Sequence, residues 1–118
     1  MEPAYRYRAK LVRVVDGDTI DLDIDLGFHI HITERVRLKG VNTPEIFRVK
    51  KESEEYKRGI AALEFVARRF AENGNECVVE TKKRGKWRRW LAEIYFADSD
   101  KSLNDELIER GLAERYEE

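Results

Sequence analysis

Three short stretches and one arginine hold most of the reactive side chains. Asp16-Gly17-Asp18-Thr19 sets two carboxylates around a glycine, and Arg37 follows further along. Asn42-Thr43-Pro44-Glu45 gathers an amide, a hydroxyl and a carboxylate. Residues 82–90, KKRGKWRRW, interleave six basic side chains with two tryptophans. Alone, an Asp-Gly-Asp turn says little, because Asp and Gly favour turns for backbone reasons. Beside a loop rich in hard oxygens it suggests a Ca²⁺ site. A guanidinium next to such a site needs an anion between the two charges. Phosphate satisfies both, since its oxygens can bridge a metal and the bidentate fork of an arginine.

These groups meet only if the elements between them fold in a particular way. Residues 5–15 alternate Tyr5, Tyr7, Ala9 and Leu11, then slip to Val12 and Val14, as a bulged barrel strand does. Ile20, Leu22, Ile24 and Leu26 alternate with Asp21, Asp23 and Asp25, which predicts a half-buried strand with an acidic outer face, closed by a turn at Gly27. Phe28, Ile30 and Ile32 begin a third strand that breaks near Thr33-Glu34 and resumes with Val36 and Leu38, leaving Arg35, Arg37 and Lys39 on the outward face. A meander of these three strands brings the first turn to the same end of the sheet as the close of strand three. Asp18 then lies near Asn42, Thr43 and Glu45.

Pro44 ends the ladder, and residues 40–51 form a candidate functional loop. From Ser53 the spacing of Tyr56, Ile60, Leu63, Val66, Ala67 and Phe70 predicts a helix that Asn73-Gly74 stops, with Glu54/Arg58 and Glu64/Arg68 as supporting pairs. Strands over residues 77–81 and 90–96 flank the basic stretch. Ser102 caps a last helix through Leu103, Leu107 and Ile108, ended by Gly111. The pattern is mainly β with α (α+β): a five-stranded OB-fold barrel with a helix after strand three and a C-terminal helix.

Two other constellations have weaker chemistry. Asp21-x-Asp23-x-Asp25 with Gly27 imitates an EF-hand loop, but the glycine is one place late, Ile32 stands where the bidentate Glu belongs, and strands flank it. His29 and His31 could meet Asp21 or Asp23 across the hairpin, and cross-strand pairing accounts for them better than a transition metal. The basic stretch suits single-stranded nucleic acid, with phosphates neutralised and bases stacked, or else it is a solvated basic hairpin with its Trp rings folded inward.

The 118 residues, 42% hydrophobic and 40% charged, suit a single domain over residues 1–118 with one core. A net charge of −1 excludes bulk polyanion binding, so any nucleic-acid contact rests on a local patch. Cys77 is the one cysteine, which excludes an internal disulfide and a Cys-based zinc site, and its Val neighbours mark it as a core residue. The absence of Gln alongside abundant Lys, Arg and Glu resembles heat-adapted composition. No 18-residue apolar run or signal-like segment occurs. A cytoplasmic protein, or a mature form that has lost its leader, is expected, with no membrane and no obligate protein partner.

Asp16-Gly17-Asp18-Thr19, Arg37, Thr43-Pro44-Glu45, Lys86-Trp87-Arg88-Arg89 and the closing Leu103-Asn104-x-x-Leu107 to Gly111-Leu112-Ala113 segment occur in the order of the staphylococcal nuclease (thermonuclease) family, which the chain resembles from Tyr7 to about Arg115. The resemblance implies a calcium-dependent endonuclease or phosphodiesterase acting on DNA and RNA, preferably single-stranded. It implies Ca²⁺ ligands at Asp18, Asn42 and the Thr43 carbonyl, catalytic arginines at Arg37 and Arg89, and a water-activating or water-orienting Glu45. Lys86 and Trp87 match residues that flank the nucleotide, and Arg84 in the same basic stretch is a further nucleic-acid contact. Asn42 stands where many relatives carry Asp, which implies weaker calcium binding. A non-catalytic barrel that only binds single strands is the rival, and it would have no use for Glu45.

Overall fold

Alternating apolar side chains become strands wherever one face can be buried, and five runs of this chain do so. The computed structural model describes residues 1–82 and 89–117. β1 (Arg6–Asp16), β2 (Thr19–Asp25) and β3 (His31–Leu38) form the meander, followed by a two-residue β4 (Val41–Asn42) and helix α1 (Glu54–Glu72). β5 (Glu76–Lys82), β6 (Trp90–Tyr95), helix α2 (Leu103–Glu109) and a two-residue β7 (Glu114–Arg115) complete the order. The barrel closes as β1-β2-β3-β6-β5, with β5 returning antiparallel to β1 and β3 running parallel to β6. This is the expected five-stranded α+β barrel with its two helices in place.

Its interior holds Ile20, Leu22, Val36, Val79 and Ile94, all almost wholly buried. Each such side chain contributes about 1.5–3 kcal/mol by leaving water. Cys77 is buried among them, and burial pushes its thiol up to about 12. The slip in β1 is real: Leu11 pairs with Leu22 but Arg13 pairs with Asp21, so Val12 is left unpaired and exposed.

β3 corrects the sequence reading in three respects. It begins at His31, because Gly27, Phe28 and His29 all take positive φ and form the turn, closed by the Ile30 amide donating to the Gly27 carbonyl. It runs unbroken through Thr33 and Glu34, in register with β2 from Asp25↔His31 to Thr19↔Arg37. And Arg37 is not on a solvated face: while Val36 and Leu38 point into the core, Arg37 is covered by Val41 of the small β4-β7 sheet and by the Tyr116 ring.

Ser53 caps α1 by accepting from the Tyr56 amide, and Ser102 caps α2 by accepting from that of Asp105. The expected Glu54/Arg58 and Glu64/Arg68 pairs do not form. Glu54 meets Lys57 instead, and Arg68 lies over the Phe65 ring. The helix is tied down by Arg69, which is buried and donates to Asp98, Glu106 and Glu72 while stacking on Phe96. That guanidinium holds the Asp98 carboxyl down at about 2. On α2, Asn104 accepts from the Ile94 amide and donates to the carbonyls of Lys39 and Ala92, which fixes the end of β3 against β6.

Gly59 marks the point where α1 approaches the loop after β4. A Cβ there would press into Ile46 and stand 2.6 Å from the Pro44 carbonyl oxygen. Gly59→Ala is expected to lower stability by about 1–3 kcal/mol, the usual cost of overpacking, in urea unfolding followed by fluorescence. Unchanged stability would mean that helix and loop are not locked together.

Candidate functional site

The turn between β1 and β2 exists because Asp16 accepts from the Asp18 amide, an Asx turn with Gly17 at its apex. Gly17 has no room for a side chain: a Cβ would lie 2.7 Å from the Thr43 methyl and 2.8 Å from Ala62. The turn is therefore pressed between the loop and α1. Backbone pairing does the rest, since the Leu38 amide donates to the Asp18 carbonyl and Thr19 sits opposite Arg37.

The Asp18 carboxylate, 7% exposed, is the hub. Its Oδ2 accepts from the Thr43 amide at 3.0 Å and the Thr43 hydroxyl at 3.1 Å, and lies 3.0 Å from Arg37 Nη1. Its Oδ1 accepts from the Thr19 hydroxyl. Arg37, 5% exposed, turns its other end to the Val41 carbonyl at 3.1 Å and to Asn42 Oδ1 at 3.2 Å. The Tyr116 ring lies 5.2 Å from that guanidinium. Asp18, Arg37, Asn42 and Thr43 thus converge as the sequence suggested.

Asp16 belongs to the same cluster, although the sequence showed it only as a turn residue. Burial and the neighbouring Asp18 carboxylate push the Asp16 carboxyl up to about 7. Burial works against Asp18 too, but hydrogen bonding with Asp16, the charge of Arg37 and the Thr43 amide together hold it below the ordinary carboxylate range. Two crowded carboxyl groups sharing one proton are an electrostatic arrangement that a divalent cation relieves. The oxygens of Asp16, Asp18, Asn42 and Thr43 are the hard donors that Ca²⁺ takes, so the residues fit such an ion. Among the described residues no group of three His, Cys, Asp or Glu side chains is placed to hold a metal ion by itself. The remaining ligands would therefore be amide, backbone or solvent oxygens.

Glu45 lines a polar cleft of about 350 Å³ with Asn42, Thr43, Glu55 and Arg58, so the cluster borders this cleft through Asn42 and Thr43 and not through Asp18 or Arg37. Its carboxylate does not reach Asp18 or Arg37 in any described contact. Oε1 instead accepts from the amides of Ile46 and Phe47, which leaves Oε2 without a partner among the described residues. Arg89 is exposed at the entrance to β6, two residues before Leu91, the neighbour of Arg37 in the parallel ladder. Arg84, Lys86 and Trp87 lie outside the described residues. His31 stands 3.3 Å from Asp23, the cross-strand pairing expected of it.

The shared proton fixes a pH dependence. The Asp16 carboxyl is raised in the folded chain, so its contribution is full below the ordinary carboxylate value and is lost as pH rises through about 7. In chelator, Asp16→Asn is expected to be more stable than the parent by about 1–2 kcal/mol at pH 8, allowing for solvent screening, and no more stable at pH 4. Urea unfolding at the two pH values measures this, and an equal gain at both would show that the carboxyl groups do not compete.

The profile of the staphylococcal nuclease homologue family matches residues 35–118, well over half the chain. An uncharacterized protein of Methanocaldococcus jannaschii is 30% identical over 93% of this chain and 59% of its own length. A thermonuclease of Staphylococcus intermedius is 34% identical over 86% of this chain and 55% of its own, and one of Staphylococcus hyicus 28% identical over 88% and 56%. The chain thus spans a little over half the length of these curated relatives. Both thermonuclease alignments are long enough to take in barrel and helices together, and with the profile match they show that the chain belongs to the staphylococcal nuclease homologue family.

Proposed function

We propose that this barrel is a calcium-dependent endonuclease that hydrolyses phosphodiester bonds of single-stranded DNA and RNA by in-line attack of water. What carries the proposal is the buried contact of Asp18 with Arg37, 3.0 Å apart, flanked by Asn42 and Thr43 at the rim of the cleft. The thermonucleases among the relatives supply the reaction class.

Asp18, Asn42 and Thr43, joined by Asp16, would hold the ion. When bound, Ca²⁺ supplies Lewis-acid polarisation of a phosphoryl oxygen. Arg37 is the better placed of the two arginines, because the Val41 carbonyl, Asn42 and the Tyr116 ring fix its plane before substrate arrives. A guanidinium held in this way stabilises growing negative charge without reorganising at the moment of reaction. Arg89, exposed on the adjacent strand, approaches the phosphate from the solvent side. Glu45, anchored through Oε1, keeps Oε2 to accept a hydrogen bond from the attacking water. Arg84, Lys86 and Trp87 in the basic stretch bind the single strand through its phosphates and bases.

Incubation with labelled single-stranded DNA is expected to give shortened products with calcium and none with chelator. Retention of the strand without cleavage under both conditions would identify a binding module instead. Arg89→Ala is expected to lower kcat by about 10²–10³-fold, the effect of removing one donor to the developing negative charge. Glu45→Gln that cleaves at full rate would assign the water to another group.

Calcium must also displace the proton held by the carboxyl pair. Its apparent affinity is therefore expected to rise about tenfold per pH unit between pH 5 and pH 7 and then level off, measured by calorimetric titration. A flat profile would exclude Asp16 from the site.

A further inference from the structure

Glu34 is out of place in the barrel wall. It pairs with Leu22 across the β2–β3 ladder, between Ile24↔Ile32 and Ile20↔Val36. Ile20, Leu22, Ile24 and Val36 are buried, so this row of β3 faces the barrel interior and Glu34 faces it with them. Arg37 belongs to the opposite row, so the Asp18 cluster and Glu34 are on different faces of the strand. Glu34 is only partly exposed and has no hydrogen-bond or ionic partner among the described residues. An inward carboxylate with unused lone pairs calls for an explanation.

The space before it supplies one. The barrel mouth at this end is an open cavity of about 440 Å³, lined by Tyr5, Tyr7, Leu26, Ile32, Glu34 and Trp90. Among the described residues its lining is apolar apart from the Glu34 carboxylate and the hydroxyls of Tyr5, Tyr7 and Thr81, its volume falls within the range of small-molecule sites, and aromatic rings stand on two of its walls. Arg89 adjoins Trp90 at the rim, and in the sequence the basic residues 82–89 connect the rim residues Thr81 and Trp90.

We infer that the barrel mouth is a base-recognition subsite that takes a splayed-out guanine from a single strand, with Glu34 accepting from its Watson–Crick edge. The observations favour a nucleobase on three counts. Aromatic walls stack on a flat ring. Arg89, next to the rim residue Trp90 in the chain, suits the attached phosphate. The lone carboxylate repels fatty acids and other anionic apolar ligands. Among bases, guanine offers two adjacent donors, N1–H and the N2 amino group, to the two carboxylate oxygens. Uracil and thymine set carbonyl acceptors on both sides of their single donor, and adenine and cytosine set a ring acceptor beside theirs. The subsite deepens the proposed nuclease function, on which it rests for its ligand class, by giving that activity a base preference.

Calorimetric titration of the whole chain in chelator, with GMP, AMP, CMP and UMP in separate runs, tests this without requiring cleavage. GMP is expected to bind about tenfold more tightly than the other three, the discrimination of one bidentate contact. Glu34→Gln should abolish that preference, and Tyr5→Ala, at an exposed rim residue, should weaken all binding while preserving it. Equal affinity for the four nucleotides, or a guanine preference that survives in Glu34→Gln, overturns the inference. The parent reading is tested separately by calcium-dependent cleavage of oligothymidylate, which contains no guanine. Cleavage without GMP binding sinks the subsite alone, and GMP binding without cleavage sinks the catalytic proposal while the subsite stands.

Discussion

A carboxylate taken out of water must be surrounded by donors, and Asp18 draws its donors from three separate stretches of chain. The Thr19 hydroxyl comes from β2, the Arg37 guanidinium from β3, and the Thr43 amide and hydroxyl from the loop beyond β4. Losing any one would leave buried charge uncompensated, and breaking such a pair on one side typically costs about 3–5 kcal/mol. The arrangement is therefore a constraint on the whole end of the barrel. It dictates that Gly17 have no side chain, that the loop pass against α1, and that Arg37 be covered. Asn104 does corresponding work between β3 and β6, donating to the carbonyls of Lys39, just past the end of β3, and of Ala92.

Much of this was legible in the residues, and the failures have physical causes. The five strands and two helices announce themselves because each buries one face, so its period survives in the sequence. The convergence of Asp18, Arg37, Asn42 and Thr43 follows from the meander alone. What misled was alternation itself. Phe28 and Ile30 continue the apolar rhythm of a strand, yet Gly27 and its two successors turn left-handed there and leave Phe28 almost fully exposed. Arg37 alternates like a solvated residue, but β4 and β7 are two residues each and are made by contact between segments more than 70 residues apart, which no local pattern encodes. Asp16 was hidden for a similar reason: an Asx turn fully explains an Asp before Gly, and only its closeness to Asp18 shows a second role.

The charge that dominates the composition is partly structural. Arg69 gathers Asp98, Glu106 and Glu72 around one partly buried guanidinium, while Asp21 and Arg35 form a two-bonded pair across the outer face of the β2–β3 ladder. Networks that share a central arginine hold their geometry better than isolated surface pairs, and they gain importance as temperature rises because the desolvation penalty of charged groups falls. Here the central arginine also joins the one long helix to the segment that leads into α2, so helix and barrel share an ionic fastening as well as an apolar one.

The ladder between β1 and β5 pairs Arg6 with Glu80 and Lys10 with Glu76, closing the barrel with contacts that skip most of the chain. During synthesis, the first three strands leave the ribosome with the outer edges of β1 and β3 both unpaired, and the barrel cannot close until β5 and β6, through Tyr95, have emerged. Through that interval the exposed edges of β1 and β3 would be free to pair with another nascent chain. The twin bulges that twist β1 and the charged side chains along both edges are features that discourage such mispairing.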